Sequence, residues 1–370
     1  MVVIGRDGEG EDGDGGGEPT GLLGHYRARD GSHGARVELD LDRPHVGLVV
    51  GKRGSGKSYT LGVLAEAIAR ADRVAPVVVD PMGAFRTLDR PPVSARVAEP
   101  RVAADALASR AWCRLVGLDP ESGPGSLVWQ AAAERDSLAG MQEHVDDADA
   151  AAPTRRAAAN HLRTAAQWRV FGGDALAPRD LTDRPTVLDC AGLGREPTNA
   201  VVAAVAESLY RARVAGTLDV LPWLLVDEAH VCFDGVAAAS LRQLLTRGRQ
   251  PGVSLVTATQ RPSALPDVAH SQADLLVAHR LTNRADREAL AASRPAYMDG
   301  TFAERMPTEP GAALVVDDAT ESVHALAVRE RQTPHGGASP RASELERRGG
   351  TECVTHGGTI NENTTNGGGD

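Results

Sequence analysis

Short, continuous runs of valine and leucine punctuate the middle of this chain, with amphipathic stretches between several of them. The runs are Val46–Val50, Val77–Asp80, Thr186–Asp189, Trp223–Asp227, Val253–Thr259, Leu275–Ala278, Ala313–Val316 and His324–Val328. Unbroken apolar runs of this length predict strands covered on both faces, because a half-exposed strand alternates instead. Helical patterning over Ser58–Ala69, Asn199–Ala215, Val236–Arg247 and Asp286–Ala292 lies between them. This alternation predicts an α/β fold built on a mostly parallel, doubly wound sheet.

One span breaks the rhythm. Residues 91–184 are alanine-rich and helical in pattern, with turn signals at Asp119–Gly125 and Ala152-Pro153. They predict a helical insertion after the second of these strands. Residues 1–20 and 333–370 are glycine-rich and polar, with too little apolar surface to order themselves. The expected organisation is an acidic, disordered start at 1–20, one core at 21–332 carrying the insertion, and a disordered tail at 333–370.

Composition narrows the function classes. The formal net charge is −10, from 50 acidic and 40 basic side chains. Arginine supplies nearly all of the basic groups, which fits either a high-salt cytoplasm or GC-rich codon usage. Under both, no global basic field draws in nucleic acid, and such contact falls to local arginine-bearing loops. No apolar run approaches the ~20 residues of a membrane span, and the start lacks a charged-then-apolar signal. A cytoplasmic protein without direct membrane insertion is expected. Cys113, Cys190, Cys232 and Cys353 show no C-x-x-C pairing, so neither a disulfide framework nor a zinc site is indicated. Cys190 and Cys232, beside apolar strands, are expected to be buried and inert. Trp112, Trp129 and Trp168 all fall in the insertion, where core filling is favoured over base stacking.

The only two lysines, Lys52 and Lys57, share one loop: Gly51-Lys52-Arg53-Gly54-Ser55-Gly56-Lys57-Ser58. It follows the run Val46–Val50 and opens the helical pattern at Ser58. A G-x-x-x-x-G-K-S turn between strand and helix wraps phosphates in backbone N–H groups, and the helix N-terminus adds positive potential. Arginine's planar fork does not replace the compact ammonium of Lys57 between two phosphates. Candidate nucleotide-binding residues are Gly51, Arg53, Gly54, Ser55, Gly56, Lys57, Ser58 and Tyr59. Without a guanine-reading N-K-x-D motif, ATP is the expected nucleotide.

The run Trp223–Asp227 ends in adjacent carboxylates, Asp227-Glu228, followed by Ala229-His230. In this class of site the first acid and the loop hydroxyl, Asp227 and Ser58, serve Mg²⁺, and the next acid, Glu228, activates water. His230 either senses the γ-phosphate or is a surface residue. Val253–Thr259 leads into Gln260, a candidate to align water at a strand tip. Arg247 and Arg249 precede it on a glycine-rich connection, and Arg249 is a candidate to reach a neighbouring subunit's γ-phosphate.

These residues carry a family resemblance. Trp223–His230, Leu244–Arg249, Gly252–Pro266, Ser271-Gln272-Ala273-Asp274, His279–Asn283 and Val77–Gly83 together resemble the HerA–FtsK group of hexameric ATPases. The resemblance implies a RecA-like fold with the P-loop strand and the acid-bearing strand adjacent. It also implies a homo-oligomeric ring that moves DNA and, as in the archaeal branch, a nuclease partner. The family's arginine before its G-x-x-L strand falls on Arg249. The β-barrel that HerA proteins place before the P-loop is not expected, because residues 1–44 are few and glycine-rich. The letters D-E-A-H also occur in a helicase superfamily, but Gln260-Arg261-Pro262-Ser263 lacks the Q-R-x-G-R-x-G-R that group needs.

The leading reading is an ATP-hydrolysing DNA motor. The alternatives are an ATP-dependent switch acting on protein partners and a conjugation- or secretion-type ATPase.

Overall fold

The computed structural model describes residues 1–6, 18–28, 30–292, 297 and 302–336. Within them twelve strands form one sheet. The strands are β1 (Val2–Ile4), β2 (Thr20–Arg27), β3 (His33–Asp40), β4 (Val46–Val50), β5 (Val74–Asp80) and β6 (Arg96–Ala98). They continue with β7 (Thr186–Asp189), β8 (Leu221–Val226), β9 (Ser254–Thr259), β10 (Leu275–Ala278), β11 (Ala312–Asp317) and β12 (Ser322–Val328). Their order is β1-β3-β2-β12-β11-β10-β4-β9-β8-β5-β7-β6. From β10 to β6 every pairing is parallel, and from β10 back to β2 and β3 every pairing is antiparallel.

Alternate side chains of the parallel strands enter two cores. Val49, Val78, Leu225, Val256 and Val277 face the cluster containing Leu61, Leu64 and Ile68 of α1 (Lys57–Ile68). Val50, Val77, Val79, Leu224 and Leu255 face the other cluster. Its helices are α2 (Ser109–Leu115), α3 (Gly123–Glu134), α4 (Leu138–Asp147), α5 (Ala152–Gln167), α6 (Pro178–Thr182), α7 (Arg195–Val214), α8 (His230–Phe233) and α9 (Ala238–Arg247). Burial on both sides is why these strands read as unbroken apolar runs.

Three features depart from the expectations. β9 separates β4 from β8, so the P-loop strand and the acid-bearing strand are not neighbours. The strand between them carries Gln260 at its tip, level with the end of β4. The insertion contributes an edge strand, β6, which pairs with β7. Two of its helices, α3 and α4, start at capping signals: Ser122 Oγ accepts from Gly125 N–H and Ser137 Oγ from Gly140 N–H, each at 3.1 Å. Trp112 fills its core and donates Nε1–H to the Ala104 carbonyl at 3.0 Å, whereas Trp129 is 39 % exposed.

Ordered structure also begins and ends outside the expected core. Val2–Ile4 pairs with β3, and Ile4 is fully buried. Thr333 is buried against α1, where its backbone N–H and hydroxyl both donate to Glu66. Residues 7–17 and 337–370, for which disorder was expected, lie outside the described residues.

Candidate nucleotide site

The P-loop leaves the C-terminal end of β4 and closes on α1, whose N-cap Gly56 takes the left-handed φ of 116°. Gly51 is irreplaceable on steric grounds. A Cβ there would sit 2.4 Å from Ser55 Oγ and 2.7 Å from His279 Cβ. The loop closes on itself, since Ser55 N–H and Oγ both donate to the Lys52 carbonyl, at 3.2 and 2.8 Å. Lys57 Nζ reaches the same carbonyl at 3.3 Å. Arg53 and Gly54 are exposed at the loop tip.

β8 delivers its two acids beside this loop. Ser58 Oγ donates to Asp227 Oδ2 at 2.7 Å, and Glu228 N–H donates to Asp227 Oδ1 at 2.9 Å. Glu228 adopts φ +49°, a left-handed conformation costly for a side chain with a Cβ. Glu228 Oε2 is buried and has no hydrogen-bond donor. His230 Nδ1 lies 3.4 Å from this oxygen and 3.1 Å from Thr259 Oγ1. Gln260 follows Thr259 directly and is half-buried.

Burial dominates the electrostatics. It raises Asp227, opposed by the Ser58 hydrogen bond and Lys57, and it raises Glu228, opposed by Lys57. Burial also lowers Lys57, opposed by the two acids. Desolvation, together with Arg261 and Lys57, keeps His230 below the ordinary imidazole range. A buried ammonium beside one buried and one half-buried acid is a charge arrangement suited to an incoming polyanion.

Two predicted residues sit elsewhere. Tyr59 turns towards the 331–335 segment, where its hydroxyl accepts from Arg331 N–H at 2.7 Å and its ring meets His335 at 5.4 Å. Arg249 lies before β9, at the end of the sheet opposite the P-loop, and pairs with Asp274 at 2.7 Å.

The sequence reading missed three supporting groups. His279, fully buried, donates Nδ1–H to the Ala312 carbonyl at 2.9 Å and so accepts the Thr60 hydroxyl at Nε2, at 2.8 Å. Burial lowers its pKa to about 4. The ring packs under the P-loop. Asp80 ends β5 and accepts three backbone N–H groups, from Met82, Ala84 and Phe85, at 3.1, 3.0 and 2.8 Å. A polar residue at the end of an apolar strand was the available signal for both. Thr60 has no signal beyond its place in α1. Cys190 and Cys232 are buried with raised thiol pKa values, that of Cys232 about 12, as expected for inert thiols.

Residues 23–167 match the family model described as "Helicase HerA, central domain". VirB4 of Thermoanaerobacter pseudethanolicus is similar in structure at 16% identity and a TM-score of 0.63, covering 86% of this chain and 98% of that one. The plasmid coupling protein TrwB, in complex with ADP and Mg²⁺, is similar at 16% identity and a TM-score of 0.57, covering 87% and 98%. No curated protein matches. The family match spans the P-loop and its helix, and over most of this chain's length the fold is similar to that of these two proteins.

Proposed function

We propose that this chain is an ATP-driven motor on duplex DNA, working as a ring in which each subunit offers Arg249 to its neighbour's nucleotide. One observation carries the catalytic half: Ser58 and Asp227 meet at 2.7 Å beside Glu228, whose Oε2 is buried without a donor. Lys57 and the α1 N-terminus supply positive charge for the β- and γ-phosphates. The two hard oxygens on Ser58 and Asp227 fit Mg²⁺, which takes one or two protein oxygens and otherwise phosphate and water. When bound there, the ion would neutralise charge on the β- and γ-phosphates. Glu228 Oε2 is free to accept a hydrogen bond from the attacking water and take its proton as the γ-phosphate bond breaks. Gln260 stands at the tip of the intervening strand, where it can orient that water.

DNA as the cargo is supported by the description of the matching family as a helicase. The test is ATP-dependent displacement of a triplex-forming strand from duplex DNA. Displacement by the wild type and none by Lys57→Ala supports the motor, and no displacement during active hydrolysis contradicts it.

The names of VirB4 and the TrwB coupling protein favour one alternative, a conjugation-type ATPase. No helix among the described residues is long and apolar enough to cross a membrane; in that role these residues would act with a membrane-bound partner. Hydrolysis would then respond to the partner and not to naked DNA.

A further inference from the structure

Asp274 gathers three elements at the end of the sheet opposite the P-loop. It immediately precedes β10. Its Oδ1 accepts from the N–H of Val46, the first residue of β4, at 2.8 Å. Its Oδ2 is shared: His45 Nδ1 lies 2.8 Å away and Arg249 Nη2 2.7 Å away. His45 is 2 % exposed, the Asp274 side chain 12 %, and the Arg249 side chain 54 %.

The fixed partner in this group is the carboxylate. His45 Nε2 is buried without a partner, so the ring carries its proton on Nδ1 and donates it to Asp274. The ring itself is wedged, with Trp223 at 5.6 Å between centroids and Gly5 so close that a Cβ there would meet Cε1 at 2.7 Å. Asp274 therefore cannot follow Arg249, and Arg249 comes to it. The ion pair engages Nη2, which leaves other donors of the fork on a half-exposed side chain that is anchored at one nitrogen.

We propose that Asp274 is the positioning residue that aims Arg249 towards the neighbouring subunit. Through Val46 it also ties that aim to the strand carrying the P-loop. The inference rests on the reading of Arg249 as the arginine acting across the subunit boundary. An unanchored, half-exposed arginine would sample many rotamers and meet the neighbour's γ-phosphate only occasionally.

The test measures ATP turnover and ATP affinity of the full chain in four forms: wild type, Arg249→Ala, Asp274→Asn and the double variant. Asp274→Asn keeps an oxygen for Val46 N–H and removes the charge that holds Arg249. Arg249→Ala should lower kcat by ~10²-fold or more. Asp274→Asn should lower kcat by ~10-fold, within what a small misplacement of a catalytic group causes, at unchanged Kd for ATP. The double variant should match Arg249→Ala. If the two losses multiply, or Asp274→Asn weakens ATP binding, the carboxylate serves only to hold the strands and the proposal is overturned. Normal turnover by Arg249→Ala would overturn the trans-arginine reading itself, and this inference with it. If the asparagine variant does not fold, Arg249→Lys supplies the test: it keeps a charge for Asp274 but loses the fork, and should lower kcat at unchanged Kd for ATP, whereas normal turnover would overturn the proposal.

Discussion

Glu228 is held in a left-handed backbone conformation at the end of β8, with one carboxylate oxygen buried and unpartnered. Both features cost stability, and both suit a base that must accept from water. Glu228→Gln should retain ATP binding and lose nearly all turnover, measured by nucleotide affinity alongside steady-state hydrolysis. Normal hydrolysis by this variant would assign the base elsewhere. Burial raises the Glu228 pKa, and a base works only when ionised. Turnover should therefore fall on acidification, starting above the ordinary glutamate value of about 4.3. A limb at or below that value contradicts the assignment. His279 gives a second readout, in stability. Its folded pKa of about 4 lies below the ordinary imidazole value, so the unfolded chain binds more protons between pH ~6.5 and ~4. Stability should fall through that window by on the order of 3 kcal/mol from this residue. Denaturant titrations of His279→Gln should show a shallower fall. At this scale the P-loop and the acid pair were legible because their chemistry demands fixed residue types at fixed spacing. His279 was legible only as a polar residue at a strand end; its supporting role was not, because what a buried histidine does is defined by what surrounds it.

The elements show where local pattern suffices and where it fails. β4, β7 and β10 were legible because burial on both faces leaves an unbroken apolar run. β2 and β3 were overlooked because they join the antiparallel side of the sheet and one face of each is polar. Even so, Val37, Leu39 and Leu41 alternate and are all buried, a period-two signal present in the sequence. β6, only three residues long, draws its identity from pairing with β7, which no local pattern encodes. The tail was expected to begin at residue 333, yet the segment after β12 straps α1 through Thr333. Glu66, fully buried on that helix, accepts from Arg329 Nη1 at 2.7 Å, from Thr333 N–H at 2.9 Å and from the Thr333 hydroxyl at 2.7 Å. Glu66→Ala leaves buried donors, and Arg331 Nε 3.6 Å from Glu66 Oε1, without their acid, and should destabilise the fold by about 3–5 kcal/mol in urea denaturation. A loss below about 1 kcal/mol would mean that the strap does not hold α1.

At the scale of the whole molecule, a chain of formal net charge −10 offers no broad attraction to a polyanion. Arg249 lies at the end of the sheet away from its own P-loop. An arginine so placed is far from its own nucleotide, and the proposed ring would give it a neighbour's to serve. Subunit association should therefore govern activity as much as any side chain does. The most direct measurement is steady-state ATP hydrolysis by the purified chain in high potassium salt, over a range of protein concentrations, with and without linear duplex DNA. The account predicts hydrolysis that rises cooperatively with protein concentration and increases further with DNA. Slow hydrolysis that is proportional to protein concentration and indifferent to DNA would contradict it.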